Sequence, residues 1–135
     1  MSVTGLARLA IVLAALSAIA GVLVYAAAAH MAGPGEQQRF ALSSAAIMLL
    51  VNSGVALGLV AQVPIWAVAW RWPANAIVLL LGTGIFSASI VVPNMTDYEA
   101  TLFVNAGPIG ASIIIGGWLL AAVNALISVP RDRDL

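Results

Sequence analysis

The twenty residues Gly107–Leu126, GPIGASIIIGGWLLAAVNAL, carry no charged side chain, yet they set a proline and four glycines inside a run apolar enough for hydrocarbon. A glycine inside a water-exposed helix costs about 1 kcal/mol relative to alanine, so its repetition here calls for another environment. As a helix the run covers about 30 Å, the thickness of a bilayer core. On a helix turning about 100° per residue, Gly110, Gly117, Ala121, Asn124 and Ser128 share one narrow arc, while Ser112, Ile115, Leu119, Val123 and Leu126 face the other way. A membrane helix sorts its residues in this manner when its small side meets another backbone and its bulky side meets acyl chains.

The rest of the 135-residue chain obeys the same solvent. It is 63% hydrophobic and 7% charged, with a mean hydropathy of +1.10, too little polar surface to cover a water-soluble globule. Four apolar stretches alternate with the polar clusters, at about residues 6–29, 40–61, 73–92 and 108–129, each long enough to cross. Pro73 and Pro108 sit where a first-turn N–H needs no partner, and Pro93 and Pro130 are expected to stop the helices they follow. The first stretch, with Arg8 before it and Ala26–Ala29 at its end, mimics a secretory signal, but its length fits an anchor better. Unbroken runs such as AIVLLLGTGI do not alternate as membrane strands must. The expected fold is all-α: one transmembrane domain over residues 1–135, an integral membrane four-helix bundle with its N and C termini on the same side.

Four spans put Arg8, Arg71, Arg131 and Arg133 at one end and Arg39 alone at the other, so the positive-inside bias predicts cytoplasmic termini. The loops 30–39 and 94–105, with Glu36, Asp97 and Glu99, are then external. The absence of lysine beside abundant alanine suggests a GC-rich bacterial source and hence a bacterial inner membrane. Trp66, Trp70 and Trp72 cluster beside Arg71 and suit an interfacial belt in which the indole N–H stays wet.

Small residues recur on every span. Span one has Ala14, Ala18, Gly21 and Ala28 opposite Val12, Leu16, Ile19 and Leu23. Span two offers the small-xxx-small pair Gly54 and Gly58, and span three Gly84 and Ala88. Asn52 lies on the other side of span two, with Ala41, Ala45 and Ala56, so that span is expected to have two buried faces. Asn52, Asn124, Ser87 and Ser89 read first as interhelical hydrogen-bond formers, each worth about 0.6–2 kcal/mol, and second as ligand or subunit contacts. Asn75 and Asn105 fall at span edges, where hydration accounts for them. His30 ends span one before the turn Gly33-Pro34-Gly35 and reads as an end cap, with a metal or quinone contact as the sharper alternative.

Several chemistries lack their residues. Zero cysteines remove disulfides and thiolate sites, and five arginines balanced by five carboxylates leave no nucleic-acid footprint. No span carries an ionisable group at its centre, as proton relays, ion-coupled carriers and voltage sensors ordinarily require. A hydrolase would have to assemble a base and an acid from His30, Glu36, Asp97 and Glu99. No catalysis, cofactor or metal is therefore expected.

Ala29-His30 closing the first helix, Phe86-Ser87-Ala88-Ser89 in the third, and Pro108-Ile109-Gly110 followed by Gly117-Trp118 in the fourth occur in an order that resembles the YgdD-like membrane proteins of domain of unknown function 423. The resemblance runs over nearly the whole chain. Where that family has an aromatic-rich second helix with a histidine, this chain has ALSSAAIMLLVNSG, so nothing tied to that histidine carries over. The resemblance implies a small four-helix membrane architecture and no established activity. The expected role is an accessory or assembly subunit that packs with membrane lipids and with other subunits or copies of itself; the alternative is a lipid- or quinone-binding module.

Overall fold

The computed structural model describes residues 2–30, 35–96 and 101–130, with the side chains of 101–104 left aside. Among these residues the chain forms four helices: α1 (Val3–His30), α2 (Glu36–Ala61), α3 (Arg71–Met95) and α4 (Thr101–Ile127). Each contains a segment long and apolar enough to cross a membrane.

Their ends follow from local chemistry. Ser2 Oγ accepts the Gly5 N–H at 3.1 Å and caps α1. Gly35, in extended backbone, opens α2, and Glu36 in the first turn complements the positive end of the helix dipole. Pro73 occupies the first turn of α3, and Thr96 closes that helix by directing both its N–H (3.0 Å) and Oγ1 (2.8 Å) at Val92 O. Two boundaries differ from the sequence expectation. Helix α3 continues through Pro93 to Met95, and α4 begins seven residues before Pro108. Proline removes one ladder hydrogen bond, but ending a helix inside an apolar phase would strand several backbone groups, which costs more. The carbonyl left without a ladder donor is that of Ser89, four residues before Pro93; one residue on, Asn94 Nδ2 donates to Ile90 O at 2.7 Å and reinforces the last turn.

Helices α1, α2 and α3 pack against one another, while α4 lies along the far side of α3 and touches the other two hardly at all. The four-helix bundle is therefore open, with α3 as its hub. The principal core is built at the end of the α2–α3 connection, where Ala10 and Ala14 of α1 meet Ala56 and Leu59 of α2 and Trp72, Ala76 and Leu79 of α3. Alanine supplies half of it, so the helices approach closely instead of interdigitating long side chains. Ala67 N–H donates to Val129 O at 3.1 Å and ties the α2–α3 connection to the end of α4. With Ala10 in the same core, the start of α1 and the end of α4 share one end of the molecule. Arg131 and Arg133, which entered the charge-bias argument, lie outside the described residues, as do Pro34, Asp97 and Glu99.

Candidate functional site: the seams between helices

The seam between α3 and α4 is the tightest contact. A Cβ on Gly110 would fall on the Phe86 amide nitrogen, 2.8 Å from Phe86 Cα and 2.9 Å from Gly82 O, all backbone. Gly117 sits over Leu79, with Leu79 Cα 3.3 Å from where its Cβ would be, and Ser89 Oγ lies 3.0 Å from the corresponding point on Gly107. From the α3 side, a Cβ on Gly82 would be 2.8 Å from Ile113 Cγ2 and 2.9 Å from Ile114 N. The small arc of α4 thus faces α3, with Gly110, Gly117 and Asn124 buried and Ala121 half-buried, while Ile115, Leu119 and Leu126 point outward.

Asn75 holds this seam by hydrogen bonding. With its amide in the orientation that satisfies both ends, Nδ2 donates to Gly117 O at 3.0 Å and Oδ1 accepts the Ala121 N–H at 3.0 Å. The residue is buried, contrary to the expectation that hydration at a span edge explains it. The missing side chain at Gly117 lets Leu79 and with it α3 come close, which keeps the Asn75 amide within reach of the α4 backbone. A polar residue one turn inside a helix start and level with a glycine of the next helix was the available signal, but only the α3–α4 register reveals it. Asn105 is exposed, as a hydrated position should be.

The α1–α2 seam uses the same device once. A Cβ on Gly21 would stand 2.9 Å from Leu50 Cγ and 3.1 Å from Ala46 O. Ala14 and Ala28 are buried and Ala18 is half-buried on this face, with Leu16, Ile19 and Leu23 outward. Three other packing assignments are corrected. Gly54, Gly58 and Gly84 are exposed, and a Cβ on any of them would meet nothing within 4 Å. Helix α2 has one buried face, the Asn52 side, and α3 presents Gly82 to α4 where the Gly84 and Ala88 pair had been expected; Ala88 is half-buried beside Gly84 on the outer wall. A small residue opens room for a neighbour only where the topology supplies one.

The polar residues fare differently from one another. Ser87 Oγ donates across to Ala45 O of α2 at 3.4 Å, whereas Ser89 Oγ turns back to Phe86 O of its own helix at 2.7 Å. Asn52 is 2% exposed, and its Nδ2 finds no acceptor, so the expected interhelical hydrogen bond from that group is absent among the described residues. Ser17 Oγ, one turn before Gly21 on the facing helix, is also buried without a partner. His30 is exposed at the end of α1. Among the described residues no three histidine, cysteine or acidic side chains gather as metal ligands.

Of the three tryptophans clustered around Arg71, only Trp70 is well exposed. Trp66 is half-buried and donates its Nε1–H to Gln62 Oε1 at 3.1 Å. Trp72 is a core residue rather than an interfacial anchor: it is 4% exposed, stacks on Trp66 at 5.9 Å between ring centroids, and leaves its Nε1–H unpartnered. At the second position of α3 it packs back onto α1 and α2, where the alanines leave space. A buried unpaired donor costs about 1–3 kcal/mol. Trp72→Phe is therefore expected to leave stability within about 1 kcal/mol of wild type despite the lost ring, measured by thermal unfolding in detergent, while Trp72→Ala lowers it by about 3 kcal/mol or more.

Clefts open on the surface formed by the described residues. An apolar groove of about 610 Å³ runs between α1 and α3, with Ser17, Ala20, Gly84 and Ala88 among its walls and Leu49 and Ser87 in its lining. A smaller cleft of about 260 Å³ lies between the start of α3 and the end of α4, and a polar one gathers Gln37, Gln38 and Asn94 at the opposite end. There Gln38 Nε2 donates to Asn94 O at 2.5 Å and links α2 to α3. Neither Asn52 nor His30 lines any of the three.

Four apolar helices held by backbone-to-backbone approach define an integral membrane protein of the open-bundle kind. No family model matches the chain, and neither does a curated protein or a solved structure.

Proposed function

We propose that the protein is a non-catalytic packing subunit of the bacterial inner membrane, its termini cytoplasmic, that assembles with copies of itself or with a larger membrane complex. The observation that carries this reading is Gly54-Val55-Ala56-Leu57-Gly58 on α2: its two glycines share an outward face, and a Cβ on either would meet nothing of the fold. In lipid, such a pair contributes only when a second helix lies across it. The resemblance to the YgdD-like proteins belongs to the same reading, since it implies architecture and membrane location and no reaction. Separation in mild detergent tests it. Gly54→Leu with Gly58→Leu is expected to convert a higher-order species to the monomer with unchanged helicity, because the added side chains have no internal neighbour to strike. A wild-type chain that runs as a monomer and copurifies with nothing would end the proposal.

The second reading, a lipid- or quinone-binding module, is supported by the α1–α3 groove, where the Ser17 hydroxyl is unpaired and the only other polar side chain of the lining, Ser87, is committed to Ala45 O. Extraction of a stoichiometric isoprenoid quinone with the purified protein, lost in Ser17→Leu, would favour it over assembly.

A further inference from the structure

The cleft between α3 and α4 joins features that neither packing nor assembly uses. Arg71 stands at its mouth, half-buried, and no carboxylate among the described residues pairs with it. Asn124 lines the wall opposite. It is 8% exposed, yet its amide forms no hydrogen bond within the described residues. Asn75 occupies the floor with both amide ends committed to the α4 backbone, which fixes Asn124, one turn beyond Ala121, relative to Arg71. Below this polar rim the walls turn apolar with Ala74, Val78 and Leu120, and Trp70 flanks the mouth. The start of α3 adds the positive end of a helix dipole that no side chain caps.

A guanidinium, an unpaired amide and an apolar slot descending from them toward the bilayer core match an amphiphile with an anionic head and an acyl tail. Arginine suits the phosphodiester because its planar fork engages two oxygens at once, and asparagine can donate to a third. The depth agrees, since tryptophan beside arginine marks the headgroup level. Basic pockets between membrane helices at that level recognise anionic lipid heads. We infer that this cleft is a specific site for an anionic phospholipid, with the phosphodiester held by Arg71 and Asn124 and one acyl chain laid along Ala74, Val78 and Leu120. It stands independently of the assembly reading, because it needs only one copy of the chain.

Native mass spectrometry of the full chain in mild detergent, offered equal phosphatidylglycerol and phosphatidylcholine of matched chains, tests the site. The wild type is expected to retain phosphatidylglycerol, and Arg71→Gln to weaken that retention about tenfold, the loss of one charge-assisted contact. Arg8→Gln, which removes an exposed charge from α1, is expected to change nothing. Asn124→Leu should weaken retention as well, with its thermal unfolding followed in parallel so that a folding defect is seen as such. Equal retention of the two lipids by the wild type would overturn the site, as would equal losses from Arg8→Gln and Arg71→Gln, which would mean diffuse surface charge. Displacement of the lipid by millimolar inorganic phosphate would also overturn it, by making the site one for a free anion.

Discussion

Gly110→Ala is expected to destabilise the protein by about 2–3 kcal/mol, a large effect for a single methyl group. The reason is what the methyl would strike. Its nearest neighbours are the Phe86 amide nitrogen and Cα and the Gly82 carbonyl, so no side chain can rotate away and α3 and α4 must separate. Because α4 has almost no other support, separation there loosens the whole helix. Gly116→Ala, on the same helix, is the matched control. With open space around its Cβ, it should remain within about 1 kcal/mol of wild type, on the stabilising side, from helix propensity alone. Reversible unfolding in mixed micelles, with an α4 probe compared against an α1 probe, measures both. Equal behaviour of the two variants would mean that the α3–α4 seam is not held by backbone approach.

The second large effect is expected at Asn75. Asn75→Leu keeps the approximate volume and removes both hydrogen bonds to α4, at a cost of about 1–2 kcal/mol. Its signature is local. Hydrogen exchange should quicken at Ala121 and its neighbours in α4, while amides in α1 keep their protection. A uniform acceleration would indicate global destabilisation and would deny Asn75 its bridging role. The two predictions are coupled, because the close approach that Gly110 allows at Phe86 sets the α3–α4 distance that the Asn75 hydrogen bonds need two turns away, so a double variant should cost less than the sum of its parts.

Along a single helix the sequence speaks clearly. The four spans, the all-helical class, and the inward and outward faces of α1 and α4 can all be read from residue size at the helical period. Both helices have one protein neighbourhood and one lipid neighbourhood, and lipid selects bulk. Gly110, Gly117 and Gly21 stand out for that reason. Helices α2 and α3 are less legible. Helix α3 has protein on more than one side, and on α2 an apolar residue looks the same whether it meets acyl chains or another helix. Hydrophobicity therefore could not say that Gly82, and not Gly84, receives α4, or that Gly54 and Gly58 face away from the fold.

What only the tertiary structure decided is pairing. The α3–α4 register sets Asn75 against the peptide groups of Gly117 and Ala121 and brings Arg71 level with Asn124, residues about fifty positions apart with no local signal to join them. The open arrangement turns Trp72 into the alanine-lined core and leaves Trp70 at the rim. It also carries α3 through Pro93, where a rule drawn from water would have ended it. A one-dimensional pattern records how each side chain suits its solvent. Which backbone fills the space that a glycine leaves depends on the packing of four helices together, and that is a property of the assembled chain.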